Sequence, residues 1–572
     1  MSDKNRLKVV LCWHMHQPEY RELMNGVYQL PWTYLHAIKD YVDMASILEE
    51  TPKAKAVINF APILLEQIED YAVQVKSFLH GSGSIKDPLL AALDMPALPN
   101  KTEERWVLIE ACLRANEERL INRFPPYRRL VDMANWYQKN DDLKIYMDDQ
   151  FLTDLLVWYH LAWMGETVRK KSECIQQLCE KGQNYTLSDR RELLEVISKQ
   201  LSSIIERYRI LSAKNQIELS MTPYAHPIMP LMQDLKCARD AMPDASLPDA
   251  PIYPGGQERL KWHLEKGIDT FQRFFGKTPR GCWPSEGGVS SDTLHLLNEY
   301  GFDWAATGEA VFHNSMTRHG TTEPSQHEGH ELYHPYHVKG TGHIRCFFRD
   351  DGLSDLIGFT YSNWHADDAV GDLIHHLENI STTCQSAHDS VVSIILDGEN
   401  AWEHYPENGY HFISALYKRL SEHPTLELTT FSDCLDAKPK AGKLSGMVSG
   451  SWVYGTFSTW IGDTDKNTGW DLLIEAKHVF DAKVTAGEIK EENREAIEKQ
   501  LAICEGSDWF WWFGDYNSQD AVSDFERLFR MHLSNLYHML NVEPPESLSK
   551  VISHGGGDPL HGGAMRPGKE HH

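Results

Sequence analysis

Seven short apolar runs punctuate the first three quarters of the chain, and longer stretches with helical apolar spacing lie between them. The runs fall at residues 8–13, 56–60, 217–221, 281–283, 302–307, 344–348 and 391–396. Those at 8–13 and 391–396 are nearly continuous in apolar and β-branched residues, the mark of strands buried on both faces in a parallel sheet covered by helices. Strands alternating with helical segments predict an α/β fold. This pattern alone fits an incomplete α/β barrel and a doubly wound sheet equally well. Between the second and third runs, residues 63–212 read as a helical insertion, with Leu193, Val196, Ile197, Leu201, Ile204 and Ile205 at helical spacing. The proline-rich 242–257 and histidine-rich 313–343 stretches read as rim loops. Past Leu435, residues 438–443 read as a connector and 449–460 as extended chain. From Trp470 to Leu540 the pattern is one of amphipathic helices, with Leu528, His532, Leu533, Leu536 and Leu540 on one face, and predicts a C-terminal α-helical bundle. The predicted division is therefore 1–440, 441–545 and a flexible, Gly- and His-rich tail over 546–572.

Composition narrows the function. At 572 residues and 41% hydrophobic, the chain can bury a large core. A formal charge of −26 disfavours nucleic acid and anionic membranes as partners, and a neutral polymer is indifferent to it. No run approaches the roughly 20 apolar residues of a membrane span, and the first residues lead into a strand rather than a signal-peptide core, so a cytoplasmic location is expected. The ten cysteines are dispersed without a Cys-x-x-Cys pair, which predicts free thiols rather than a disulfide scaffold or zinc site.

Chemistry collects where the apolar runs end. The last run delivers Asp397, Gly398, Glu399 and Asn400, followed by Trp402 to Tyr405. An Asp-Gly after a strand can simply cap the next helix. A second cluster, Trp283-Pro284-Ser285-Glu286-Gly287-Gly288, repeats the design of a carboxylate beside an aromatic at a strand end. An indole stacks on a pyranose face while acids address the glycosidic bond, and glycoside cleavage requires two carboxyl groups. The first run leads into His14 and His16, which share one face of an extended chain. Sugar contacts are the favoured reading of that pair over metal ligation, because His327-Glu328-Gly329-His330-Glu331 lacks the second histidine of the zinc-protease pattern.

Five blocks in order resemble glycoside hydrolase family 57, the retaining α-glucan enzymes. They are His16-Gln17-Pro18; Ile217-Glu218-Leu219-Ser220-Met221-Thr222-Pro223-Tyr224-Ala225-His226-Pro227; Trp283-Pro284-Ser285-Glu286; Leu396-Asp397-Gly398-Glu399-Asn400-Ala401-Trp402-Glu403-His404-Tyr405; and Glu505-Gly506-Ser507-Asp508-Trp509-Phe510-Trp511-Trp512. The wording is most similar to the amylopullulanase group. Gly287 follows Glu286 where branching enzymes carry Cys, which argues against branching activity. The resemblance implies an incomplete (β/α)7 barrel, Glu286 as nucleophile and Asp397 as general acid/base, the latter with its pKa raised by Glu399 if that charge faces it. Trp402, Trp460 and Trp509 are expected to stack on sugar, beside Trp283. His14, His16, Glu218 and Asp508 are expected to contact hydroxyls, Glu218 because a buried acid inside a strand is costly without a purpose. Arg349 and Asp355 read as a structural ion pair. No cofactor or catalytic metal is expected, with structural calcium left open. The reading is a retaining hydrolase of α-1,4 glucans such as starch, glycogen or pullulan, with α-1,6 links left open as a further target. Its alternatives are a 4-α-glucanotransferase or branching enzyme, a silent glucan-binding protein, and a metal-dependent polysaccharide deacylase using His14 and His16.

Overall fold

A computed structural model describes residues 6–320, 331–384, 389–557, 564–566 and 568. Each of the seven apolar runs is a strand: β1 (Leu7–Met15), β2 (Ala56–Phe60), β3 (Ile217–Met221), β4 (Gly281–Cys282), β5 (Trp304–Thr307), β6 (Arg345–Phe348) and β7 (Val391–Asp397). They pair in parallel in the order β7-β1-β2-β3-β4-β5-β6. Between β6 and β7 the ladder thins to a bridge from Arg349 to Ser393, with the Asp350 amide donating to the Ser393 carbonyl at 2.8 Å. The result is a seven-stranded barrel with one weak seam, as the resemblance implied. Outside the ring, Leu426–Thr429 lies against the first half of β1, and Tyr336–Val338 and Gly442–Leu444 extend the sheet past β6.

Alternation along β1 shows how the barrel is filled. Leu7, Val9, Leu11, Trp13 and Met15 join the outer core under the helices, whereas Val10 and Cys12 join an inner cluster with Val57, Trp283, Trp304, Phe347, Ile395, Phe431 and Cys434. The helix Phe431–Asp436 plugs the floor, its Phe431 ring 4.4 Å from Trp304 and 4.5 Å from Phe347. Gly281 is what admits the Trp304 indole, since a Cβ there would lie 1.8 Å from that ring. The interior is therefore solid below, and the cavity lies above the strands' C-terminal ends, where barrel enzymes carry their chemistry.

Helices fill the expected insertion, among them Pro62–Leu79, Thr102–Leu113, Pro125–Lys139, Asp149–Ala162 and Leu187–Ala213. The last opens on a reciprocal capping box between Thr186 and Asp189. Residues 464–539 form four helices, Thr464–Thr485, Glu491–Cys504, Asp508–Trp512 and Gln519–Met539. They dock on the barrel helix Gly256–Phe275 through a buried knot in which Glu505 accepts from Arg259 at 2.8 and 2.9 Å and faces His263 Nε2 at 2.8 Å. That guanidinium and imidazole outweigh the effect of burial and bring the Glu505 carboxyl down to about 2.

Four local expectations change. Residues 449–460 are a series of turns held by Ser451 and Thr456 rather than extended chain, because Gly455 and Tyr454 take left-handed backbone there. The presumed connector contributes a strand at Gly442–Leu444, and the histidine-rich rim contains the helix Glu309–His319 and the strand Tyr336–Val338, with 321–330 outside the described residues. In the tail expected to be flexible, Glu546–Ser549 forms a turn of helix, Ser553 is buried under the Gly514 amide, and Gly568 is buried at the barrel mouth. All ten cysteines are free. No helix among the described residues is long and apolar enough to cross a membrane.

Candidate active site

The chain leaves β4 into a single turn, Ser285–Gly287, that holds Glu286 in the left-handed region at φ 57° and ψ 25°. A non-glycine residue there is strained, and such strain persists only where the surroundings enforce it. They do so on every side: Gly287 N donates to Pro284 O at 2.7 Å, Thr307 Oγ1 to Gly287 O at 2.5 Å, and Trp452 N to Glu286 O at 3.1 Å. The Trp452 indole N–H then donates to Glu286 Oε2 at 3.0 Å. Asp397, the last residue of β7, accepts from Asn400 Nδ2 at 2.9 Å, and the Gly398 amide returns to His14 O at 2.7 Å.

Electrostatics raise both acids. Burial pushes the Glu286 carboxyl well above the usual range and the Asp397 charge adds to it, while the Trp452 N–H and the Arg566 cation oppose the rise. Burial lifts Asp397 to about 6 against the hydrogen bond from Asn400. Glu399 is also pushed up, by burial and then by Asp397, with Oε1 3.3 Å from the His16 amide and from Gln17 Nε2. Like charges crowded out of water cannot all ionise, so this end of the cavity retains a proton near neutral pH. A carboxyl pair that holds one proton can give a proton with one member and attack with the other.

Three histidines stand beside the acids. The ring of His16 lies 3.8 Å from that of His226 and 5.7 Å from that of His14, all nearly parallel. Asn59 Nδ2 donates to Ser220 Oγ, which leaves Asn59 Oδ1 as acceptor for His14 Nδ1–H at 2.7 Å. His14 Nε2 therefore offers its lone pair to His226 Nε2–H at 3.1 Å, and His226 Nδ1 accepts from Ser507 Oγ–H at 2.7 Å. Burial holds both rings neutral, lowering His14 to about 3 and His226 well below its ordinary value. His16 Nε2 instead pairs with Asp508 at 2.8 Å. Ligand atoms of His16, His226 and Asp508 lie within 4.8 Å of one another, a spacing a metal could use. The donor set does not fit well: both His226 nitrogens are already engaged, Nε2 with His14 and Nδ1 with Ser507, so an ion would have to displace one of those bonds.

Above these groups opens a cavity of about 440 Å³, within the range of small-molecule sites. His14, His16, Glu286, Asp397, Glu399 and Asp508 line it, six of the residues singled out in the sequence. The other five are elsewhere. Glu218 points into the barrel floor, where it accepts from Trp304 Nε1 at 2.7 Å and Ser432 N at 2.9 Å; the price of burying it is met by those donors rather than by a ligand. Trp283 is buried under Trp452 at 5.3 Å between ring centroids. Trp402 packs on Trp13 and Tyr405, Trp460 on Trp511, and Trp509 on Phe529 and His532, each no more than 1% exposed. The rings that do face the cavity are Tyr20, Trp32, Trp163, Trp511, Trp512 and Phe525. Trp32 and Trp163 come from helical segments with no local signal of exposure, and His226 stood inside the second block without being singled out.

The chain has wide structural relatives. No curated protein matches it significantly. Among solved structures, it is similar to a branching enzyme of Thermococcus kodakaraensis (14% identity, TM-score 0.55, 96% of this chain and 94% of that one) and to an α-amylase of Thermotoga maritima (13%, 0.54, 94% and 93%). It is also similar to a 4-alpha-glucanotransferase of Thermococcus litoralis (14%, TM-score 0.50, 93% of this chain and 60% of that one). At such identities the likeness establishes the fold. What goes beyond fold is the match of a sequence family, Glycosyl hydrolase family 57, over residues 10–445, which takes in both acids, the histidine pair and the strands from residue 10 of β1 onward through β7. On that match, and on a barrel whose mouth gathers those residues, the chain belongs to glycosyl hydrolase family 57.

Proposed function

We propose that the chain is a retaining glycoside hydrolase of α-glucans, of the amylase or amylopullulanase type, working by double displacement. Glu286, ionised, attacks the anomeric carbon; Asp397, protonated, gives its proton to the departing glycosidic oxygen and later takes one from the incoming water. The observation that carries this reading is the strained Glu286 held by Trp452 beside a protonatable Asp397, at the base of a cavity walled by aromatic rings. His16 with Asp508 offers polar partners to sugar hydroxyls, His14 and His226 hold that wall in place, and Trp32, Trp163, Trp511 and Trp512 offer faces for stacking. Transfer to a second glucan is the alternative resolution of the same intermediate, favoured by Trp32, Trp163, Arg114 and Asn116, which give the cavity a further wall where a sugar acceptor can lie.

Product analysis of wild type and Glu286→Gln on soluble starch, pullulan and maltoheptaose tests this. Shorter α-anomeric products from the wild type, absent with Glu286→Gln, support a retaining hydrolase; products longer than the substrate move the assignment to transferase. Binding without turnover would leave a glucan-binding protein, and neither binding nor turnover would end the glucan reading. The chemistry calls on no cofactor, so turnover in chelator is expected to equal that in buffer; its loss would favour the metal-dependent alternative.

A further inference from the structure

At the weak seam between β6 and β7 a side chain takes over part of the backbone's role. Arg349, just past β6, is 2% exposed, and its amide donates to Thr307 O on β5 at 2.8 Å. The ion pair expected of Arg349 and Asp355 forms at 2.8 Å, and a second terminal nitrogen donates to Asp351 Oδ1 at 2.6 Å. The remaining contacts lead elsewhere. Arg349 Nε donates to Ile395 O at 2.8 Å, two residues before Asp397 on β7. The face of the guanidinium lies over the Trp452 ring, 5.3 Å from its centroid. Trp452 is the residue whose indole N–H and amide both hold Glu286, and it is closely seated, since a Cβ on Gly308 would lie 2.7 Å from its Cα. Pairing with two aspartates needs only a cation, whereas bonding β7 at one edge and stacking on Trp452 needs a planar fork.

We propose that Arg349 is a positioning residue for the reaction: its bond to Ile395 fixes the end of β7 beneath Asp397, and its face keeps the Trp452 indole on Glu286. One side chain thereby sets how the two acids stand to each other. The proposal rests on the glycosidase reading given above. Arg349 works through Trp452 and β7, and its charge also reaches the proton that the acids hold. Together with the Asn400 hydrogen bond and His16, the Arg349 cation opposes the rise of Asp397 that burial causes and Asp508 increases, and Asp397 in turn raises Glu399. Glu286 faces Asp397, Asp508 and Arg566, with His226 Nδ1 4.0 Å from its Oε1. Around Arg349 itself stand Asp351 and Asp355, with Glu309 Oε2 accepting from the Asp351 amide at 3.1 Å and Asp350 accepting from Tyr333.

The pH profile separates positioning from plain support. Arg349→Lys keeps a cation for the two aspartates and loses the fork and the flat face. On maltoheptaose it is expected to move the acidic limb of kcat/KM upward by about half a pH unit to one, the size of a desolvated cation–π contact, because a loosened indole favours ionised Glu286 less. In a Trp452→Phe background, where the N–H is already gone, the same substitution is expected to leave that limb where Trp452→Phe puts it. A uniform loss of kcat/KM at every pH, or an equal shift with and without Trp452, overturns the proposal. If the melting temperature shows that Arg349→Lys does not fold, the double variant Arg349→Gln/Asp351→Asn, which removes one charge of each sign, is read in its place. Both limbs are then expected to rise, the basic one because Asp397 has lost a cation, and unmoved limbs overturn the proposal. A substrate-free reading uses the Trp452 indole N–H resonance, identified by its absence in Trp452→Phe. It is expected to titrate with Glu286, with a higher midpoint in Arg349→Lys than in wild type; equal midpoints overturn the proposal. Turnover of no glucan by the wild type would instead sink the glycosidase reading, while this titration still decides what Arg349 does to Glu286.

Discussion

Single residues around the two acids set protonation, and their removal has a definite sign. Trp452→Phe deletes the N–H that favours ionised Glu286 while leaving a ring against Trp283. In the mechanism proposed above Glu286 must be ionised, so loss of that bond raises the pH at which activity appears: the acidic limb of kcat/KM is expected to move to higher pH, with a fall of roughly ten- to a hundredfold, the size of one hydrogen bond to a charged group. Asn400→Ala acts on the other limb. Without the Asn400 hydrogen bond Asp397 rises above its value of about 6, stays protonated longer, and carries the basic limb of the pH profile upward. A pH profile in which neither limb moves would detach both residues from the chemistry. The acids themselves were legible, because two strand ends each carried a carboxylate beside an aromatic. The stacking rings were not. Burial of a tryptophan depends on what folds over it, and Trp402, Trp460 and Trp509 are covered by Phe412, Trp511 and His532, which are distant in sequence or on other helices.

At the scale of elements, the strands were readable because their order in sequence is nearly their order in space and each is a short, mainly apolar run. Glu218 misled for the converse reason. An acid in a strand interior signals a partner, and only the fold shows that the partner is the amide of Ser432 at the start of the floor helix rather than a ligand. The bundle's attachment carries a prediction of its own. Arg259→Met strands the Glu505 carboxylate in the interface between the barrel helix and the bundle, and is expected to cost about 3–5 kcal/mol in urea unfolding. Because Glu505 has a folded value of about 2, below its unfolded one, its share of stability is fully present above the usual carboxylate range and is lost as the pH falls toward 2. In the wild type, acid unfolding is expected to steepen over that window, and Glu505→Gln, already weakened, should lack that component. Equal acid sensitivity of the two would remove Glu505 from the account.

At the scale of the whole molecule, the cavity belongs to no single part. The barrel brings Glu286, Asp397, His14 and His16; the insertion brings Arg114, Asn116 and Trp163; the bundle brings Asp508, Trp511 and Trp512. The sequence implied this only through a fifth block lying beyond the last strand. A maltooligosaccharide that binds there should therefore raise the melting temperature of the whole chain as one transition, since it touches all three; two separate transitions, with only one responding, would show the parts to be independent. The chain of hydrogen bonds from Ser507 through His226 and His14 to Asn59 adds something that neither part has alone. Its first link is on the bundle and its last is on β2, and the order of donors along it dictates which nitrogen of each imidazole holds the proton. A molecule whose bundle has not docked possesses every reactive group and yet has the two rings free to choose the other tautomer. Assembly is thereby written into the bonding of the site: docking of the bundle sets which nitrogen of each ring carries the proton.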